Sequence, residues 1–315
     1  MPDQLHHDSQ PGEALSRRFA LVALLLIVLL GAAVRFRGIG SESIWWDEFT
    51  SVIHLSPIEA WEDSPDYERW QHVVDGRPST SLWEFWKRNR SMDPATMPLY
   101  YTLEYLWNRH IGRSFTSLRV LSVLIGILLI PAIYLFGRDL YGRNAGLVAA
   151  LCVALSPIHR QFSQEIRMYG LMTLLALLSC YAFMHLVRDD RRRWWGFYAA
   201  INLLLFWTHP FALLVPFAQG VFWAAFYLRR HFKRMLGWGV LNALLALPSL
   251  IYIATIRFWS LDTTGSWMRL PNLREFTADL VADDCIGMTY QLRASTGVWE
   301  LLFSPEAAKR IIDLR

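Results

Sequence analysis

The sequence predicts an all-α integral membrane protein of about seven transmembrane helices, with a large helical juxtamembrane loop on its non-cytoplasmic face. Three observations carry this. The 315 residues are 54% hydrophobic and only 18% charged, where a soluble domain carries about 25% charged residues. The deficit is concentrated in apolar runs that approach or reach the roughly 20 residues a spanning helix needs. The charges that remain are sorted, with basic clusters recurring at alternate turns.

The first run, Phe19 to Val34, follows Arg17 and Arg18 and predicts a span over 19–37. Gly31-Ala32-Ala33 loosely mimics a signal-peptide cleavage site, but Arg35 and Arg37 are poor flanks for cleavage and further spans follow. Long candidates lie at 116–137, 168–187 and 235–256, and shorter ones at 145–162, 194–209 and 211–228. The stretch 98–111 is short and carries Glu104, Asn108, Arg109 and His110. A charge deep in lipid costs about 2.5–3.5 kcal/mol. The stretch is therefore expected as an amphipathic helix at the interface, with Leu99, Leu103 and Leu106 on one face.

With that segment outside the count, the loops alternate. Arg17–Arg18 and the basic turns 137–143, 188–193 and 229–234 fall on one side, cytoplasmic by the positive-inside rule. Residues 38–115, the stretch around 157–167, Thr208-His209-Pro210 and everything after Ile256 fall on the other. The expected organisation is a cytoplasmic tail 1–18, a transmembrane core 19–257 including the outer loop 38–115, and a non-cytoplasmic tail 258–315. The outer loop is rich in tryptophan, which favours the headgroup level, and two short helices are expected in it, over 57–74 and 79–89. Ser79, Thr80 or Ser81 is placed to cap the second, with Glu84 in its first turn.

Composition also narrows the function. Cys152, Cys180 and Cys285 have neither metal nor disulfide spacing, and there is no glycine-rich phosphate loop. No nucleic-acid partner is expected. No cofactor is demanded, and a divalent metal near Asp47 is left open because no ligand set compels one.

The remaining charged residues of the outer side collect at span ends: Arg35, Arg37, Asp47 and Glu48, then Arg119, then His159, Arg160, Glu165, Arg167 and Tyr169, then His209. Arginine at a span end is either a functional group or one that snorkels to phosphate headgroups. Asp47 and Glu48 are neighbours and do not share a helix face, so they are not expected to act as a two-carboxylate dyad. If Ser43 caps a helix, both acids complement its dipole; alternatively the two preceding tryptophans shield an acid that serves as a base. On a continuous helix through 156–170, Arg160, Gln164 and Arg167 share one face, which suits a phosphate, and Glu165 and Tyr169 share another. An ordinary polar loop is the other reading of that stretch. His209 precedes Pro210, at a helix break.

In order, the chain carries "WWDE" (Trp45–Glu48), "MPLYY" (Met97–Tyr101), "LRVLSVLIG" (Leu118–Gly126), "GRDLYGRNAGLVAALCVALSP" (Gly137–Pro157), "QEIRMYGL" (Gln164–Leu171) and "THPF" (Thr208–Phe211). This order resembles the polytopic GT-C glycosyltransferases, in particular the dolichyl-phosphate-mannose–protein mannosyltransferase and aminoarabinose–lipid A transferase group, over roughly residues 19–230. The resemblance implies an inverting transfer of a sugar from a polyprenyl-phosphate donor to a lipid, glycan or protein acceptor. It implies Asp47 as the catalytic carboxylate with Glu48 beside it. It places Arg119, Glu165, Arg167 and Tyr169 around the donor phosphate and substrate; Arg160, as a further cation, and His209, on the same side of the membrane, join them as candidates. The family's His-Pro-Pro is replaced here by Thr96-Met97-Pro98. The expected location is the plasma (inner) membrane, with the site on its periplasmic or extracellular face. A non-enzymatic transporter or lipid flippase is the alternative, and the nearly charge-free span centres speak against it.

Overall fold

A computed structural model describes residues 11–41, 44, 46–53, 55, 81–92, 96–189 and 191–254. The helices expected over 57–74 and the tail from 258 lie outside the described residues. In chain order the helices are α1 (Pro11–Phe36), α2 (Trp46–Ile53), α3 (Leu82–Met92), α4 (Pro98–His110), α5 (Phe115–Tyr141), α6 (Arg143–Leu155), α7 (Pro157–Gln164), α8 (Tyr169–Asp189), α9 (Arg192–Phe206) and α10 (Leu214–Ala254). No strand occurs among the described residues. A short 3-10 turn, Pro210–Leu213, leads into α10, and α10 is kinked at His231.

Among the described residues, five stretches are long and apolar enough to cross a membrane: Arg18–Phe36, Phe115–Tyr141, Tyr169–Asp189, Pro210–Tyr227 and His231–Ala254. The pair α6–α7, bent by 56°, makes a sixth if it is one broken span. Each of the seven expected spans coincides with helix, but α9 has only 15 residues.

The bend between α6 and α7 has a local cause. Pro157 follows Ser156, which leaves the helix with φ −61° and ψ 123° and caps α7 through its hydroxyl. The break strands carbonyls at the end of α6, and Arg35, fully buried on α1, satisfies them. Its guanidinium donates to Val153 O (2.9 Å), Ala154 O (3.1 Å) and Ser163 Oγ (3.2 Å). A cation at a helix C-terminus also meets the dipole favourably. Gly126 lies against this group, and a Cβ there would collide with Ser163.

The turn from α5 to α6 needs Gly142, whose φ is +92°. Beyond it the two helices approach closely, because a Cβ on Gly137 would sit 3.1 Å from Gly146 Cα. Such small-residue contacts pack helices where lipid supplies no hydrophobic drive.

Deep among α8, α9 and α10 lies a neutral polar network. The Tyr198 hydroxyl stands 2.7 Å from Gln219 Oε1 and 3.1 Å from Asn242 Oδ1. Gln219 Nε2 donates to Ser179 Oγ (3.0 Å), and Ser179 Oγ to Asn202 Oδ1 (3.0 Å). These bonds hold three helices in register without a charge.

The juxtamembrane helices follow the sequence in part. Ser81 and Glu84 form a reciprocal capping box on α3: Ser81 N donates to Glu84 Oε2 (3.1 Å) and Glu84 N to Ser81 Oγ (3.3 Å). The expected helix over 98–110 forms, and it turns a tyrosine-rich face into the protein. Tyr100, Tyr101, Glu104, Tyr105 and Asn108 are buried, whereas Leu106 is exposed. The tyrosine hydroxyls find partners inside, Tyr100 with Ser122 Oγ (2.7 Å) and Tyr101 with Arg167 Nη1 (3.0 Å).

Candidate active site

The site forms where α2 meets the starts of α4, α5 and α8. Asp47 and Glu48 occupy the first turn of α2 and diverge by about 100° around its axis. The Glu48 side chain is 1% exposed and that of Asp47 34%.

Glu48 is fully engaged. Arg119, on the first turns of α5, grips it with two bonds, Nε to Oε1 (2.9 Å) and Nη2 to Oε2 (2.6 Å). Glu48 Oε1 also accepts from Ile166 N (3.1 Å), and Arg119 Nη1 donates to Ile39 O (3.0 Å). This bidentate pair therefore ties α2, α5, the chain after α1 and the link before α8 into one unit. The Arg119 expected at the donor phosphate is turned onto Glu48.

Arg167 stands on that link. Its Nη1 donates to Tyr101 OH (3.0 Å), Ser51 Oγ (3.2 Å) and Asp47 O (3.3 Å), and its Nη2 lies 3.7 Å from Asp47 Oδ2. The guanidinium also lies over the Tyr169 ring at 5.8 Å. Burial works to lower its pKa, but Tyr101, Tyr169 and Asp47 outweigh this and raise it, so the group stays a cation. Tyr169 in turn faces His209, ring to ring at 6.4 Å. His209 Nδ1 accepts from Phe211 N (3.1 Å). Burial and then Arg167 lower its pKa, which keeps the imidazole neutral.

Of the two readings of 156–170, the continuous helix does not form, and a break separates two helices. α7 ends at Glu165, whose backbone is extended at φ −99° and ψ 142°, and α8 begins at Tyr169. Arg160 and Arg167 consequently share no helix face. Arg160 Nη2 reaches Arg37 O (3.4 Å), and Gln164 Nε2 donates to Arg35 O (2.7 Å) and Arg37 O (2.9 Å). These two side chains hold the exit of α1, while Arg167 turns to Asp47. Glu165 and Tyr169 likewise lie on either side of the break rather than on one helix face. The break has a use, since it frees Ile166 N for Glu48.

Glu165 accepts from Gln161 Nε2 (3.2 Å) through Oε1, and its Oε2 is buried without a hydrogen-bond partner. Burial pushes its carboxyl up to about 7; the Gln161 bond and Arg167 oppose this, and Glu48 and Asp47 add to it. It titrates in the range useful for acid–base chemistry.

Three contributors were missed by reading the sequence. Ser51 and Tyr101 position Arg167; Ser51 carries no local signal, and Tyr101 entered only as the end of the "MPLYY" motif. Glu104, treated above as a charge too costly for a span, is fully buried on the inner face of α4 with neither oxygen hydrogen-bonded. Burial holds its carboxyl well above the usual range, with Arg167 opposing and Glu48 adding, so it is a neutral acid. Among the described residues, no group of three His, Cys, Asp or Glu is arranged to hold a metal ion.

The apolar helices carry Asp47, Glu48, Arg119 and Arg167 together at one end of the bundle. Residues 98–253, from the start of α4 almost to the end of α10, match the model of the dolichyl-phosphate-mannose-protein mannosyltransferase family. The match, over just under half of the chain, supports a glycosyltransferase of the GT-C type. The match takes in Arg119, Arg160, Glu165, Arg167, Tyr169 and His209 and begins after Asp47 and Glu48. No curated protein matches the chain.

Proposed function

We propose that the protein is an inverting glycosyltransferase that moves a sugar from a polyprenyl-phosphate-linked donor to a lipid, glycan or protein acceptor at the outer face of the plasma membrane. The observation that carries this is the division of labour in "WWDEF". Glu48 is sealed against Arg119, and Asp47 presents a partly exposed carboxylate held beside Arg167. Asp47 takes the proton of the acceptor hydroxyl. Arg167 orients that carboxylate, and Ser51 and Tyr101 orient Arg167. Tyr169 and neutral His209 frame the sugar. Glu48 and Arg119 act by positioning α2.

The side of the membrane follows from charge. The site sits at the starts of α5 and α8. The basic turns lie at their far ends, where Arg188 Nη1 donates to Asp139 O (2.9 Å). Basic turns favour the cytoplasm, which supports the reading of Asp47 on the outer face. A transporter would present unpaired polar groups near the bilayer midplane, whereas the mid-bundle network is bonded to itself.

The test is transfer from a defined polyprenyl-phosphate sugar by the purified protein. Asp47→Asn abolishes it if the reading holds, and full transfer by that variant refutes Asp47 as the base.

A further inference from the structure

α4 buries two polar side chains that the proposed reaction does not use. Glu104 is fully buried, and Asn108, one turn further on, is nearly so. Among the described residues, neither oxygen of Glu104 and neither polar atom of the Asn108 amide has a hydrogen-bond partner. A buried polar atom left unpaired is costly. A face that served packing alone would carry leucine here, as α4 does at Leu99, Leu103 and Leu106. The cost calls for a role.

The position of Glu104 points to Arg167. Residues three and four apart share a helix face, so Glu104 lies beside Tyr101 and Tyr100, both fully buried. The Tyr101 hydroxyl accepts from Arg167 Nη1 (3.0 Å), and the Tyr100 hydroxyl stands 2.7 Å from Ser122 Oγ. Burial acts first on the Glu104 carboxyl; of the charges, Arg167 favours its ionised form and Glu48 opposes it. Glu48 is committed to Arg119 of α5 at 2.6 Å, whereas Arg167 holds Asp47 more loosely, at 3.7 Å. The other charged groups nearby are turned elsewhere. On α4, Arg109 donates to Tyr105 OH (3.1 Å) and His110 is exposed. Among the described side chains of α3, which packs on α4, Glu84 caps its own helix, and Lys87 and Arg90 lie over Trp83 and Tyr252.

We propose that Glu104 is a positioning residue that competes with Asp47 for Arg167. As a neutral acid it leaves the guanidinium to Asp47. Ionised, it draws the guanidinium toward α4 and away from the base, because one cation cannot match two carboxylates in a buried site. The proposal rests on the transferase reading above, in which Arg167 orients Asp47, and it adds a control to that site: transfer has an alkaline limb set by Glu104. The proton that Glu104 loses at high pH goes to solvent, and the transfer step itself neither supplies nor consumes it.

The experiment follows the infrared carbonyl band of protonated carboxylic acids in the full-length protein in detergent, from acid to alkaline pH. Glu104→Gln assigns the band by its loss, and a Glu165→Gln background removes the other raised acid. Asp47→Asn should lower the midpoint at which the Glu104 band disappears by about one pH unit or more, because Arg167 is then released to Glu104. With Arg167→Gln in place the midpoint should lie higher, and Asp47→Asn should no longer move it. An Asp47→Asn shift that is absent, or just as large without Arg167, overturns the proposal, and so does a Glu104 band missing at neutral pH. Transfer gives a second readout, which decides if the Arg167→Gln protein does not fold. The alkaline limb of kcat should move to higher pH in Glu104→Gln with donor KM unchanged, and an unmoved limb overturns the proposal. The two readings fail separately. Infrared coupling without transfer from any donor sinks the transferase reading alone. Transfer by the parent protein without that coupling sinks the role of Glu104 alone.

Discussion

Two adjacent carboxylates on α2 occupy opposite environments. Glu48 is closed in, with both oxygens bonded to Arg119 and one also to Ile166 N. Asp47, one residue earlier, keeps a third of its side chain exposed and has Arg167 at 3.7 Å. The difference comes from helix geometry, since one residue turns the side chain by about 100°. On the proposed reading, chemistry and architecture are divided between neighbours, the fully satisfied acid building the site and the accessible one reacting.

Substitutions can break this contrast, and the largest effects come first. Asp47→Asn should lower transfer by roughly 10²–10⁴-fold, the usual worth of a general base, with the thermal midpoint in detergent nearly unchanged. Glu48→Gln or Arg119→Met should do the reverse in kind. Leaving one buried partner unpaired costs about 3–5 kcal/mol, so the unfolding midpoint should drop and activity should fall with the folded fraction. If Glu48→Gln is as stable as the parent but inactive, Glu48 is chemical rather than architectural.

A smaller effect sharpens the contrast from the middle of the bundle. Tyr198→Phe removes the hydroxyl that links Gln219 and Asn242. Helix–helix bonds in membranes are worth about 0.6–1.7 kcal/mol, so stability should fall by that much while donor KM stays constant. A further effect is one of pH. Glu165 has its folded pKa raised from 4.5 to about 7, so it stabilises the fold below the unfolded value, and that contribution is lost as pH rises through about 7. Unfolding measured from pH 4.5 to 8 should show this decline, and Glu165→Gln should remove it.

Much of the fold was legible because lipid is an undemanding reader. Apolar run length predicted helices at every expected span, and basic turns predicted which helix ends lie together. The Ser81–Glu84 box was also visible, because a capping box is a local pattern. Two features were not legible. The leucine spacing of 98–111 marked an amphipathic helix, but not that its other side buries Tyr100, Tyr101 and Glu104, the tyrosines bonded to Ser122 and Arg167. The run 156–170 was left between a continuous helix and a polar loop, and the extended Glu165 decides for a break. In both cases distant hydrogen bonds, not a local period, decide what turns inward.

The sequence by itself determined that this is a helical membrane protein, that its acids and arginines gather at span ends away from the basic turns, and that its motifs follow a glycosyltransferase order. Those properties depend on composition and on spacing along the chain. Only the tertiary structure decided which arginine meets which acid. Arg119 is 71 residues from Glu48 and Arg167 is 120 from Asp47, and no local pattern couples positions so far apart. Pairing at that separation is set by how helices pack and by the cost of leaving a buried charge unmatched.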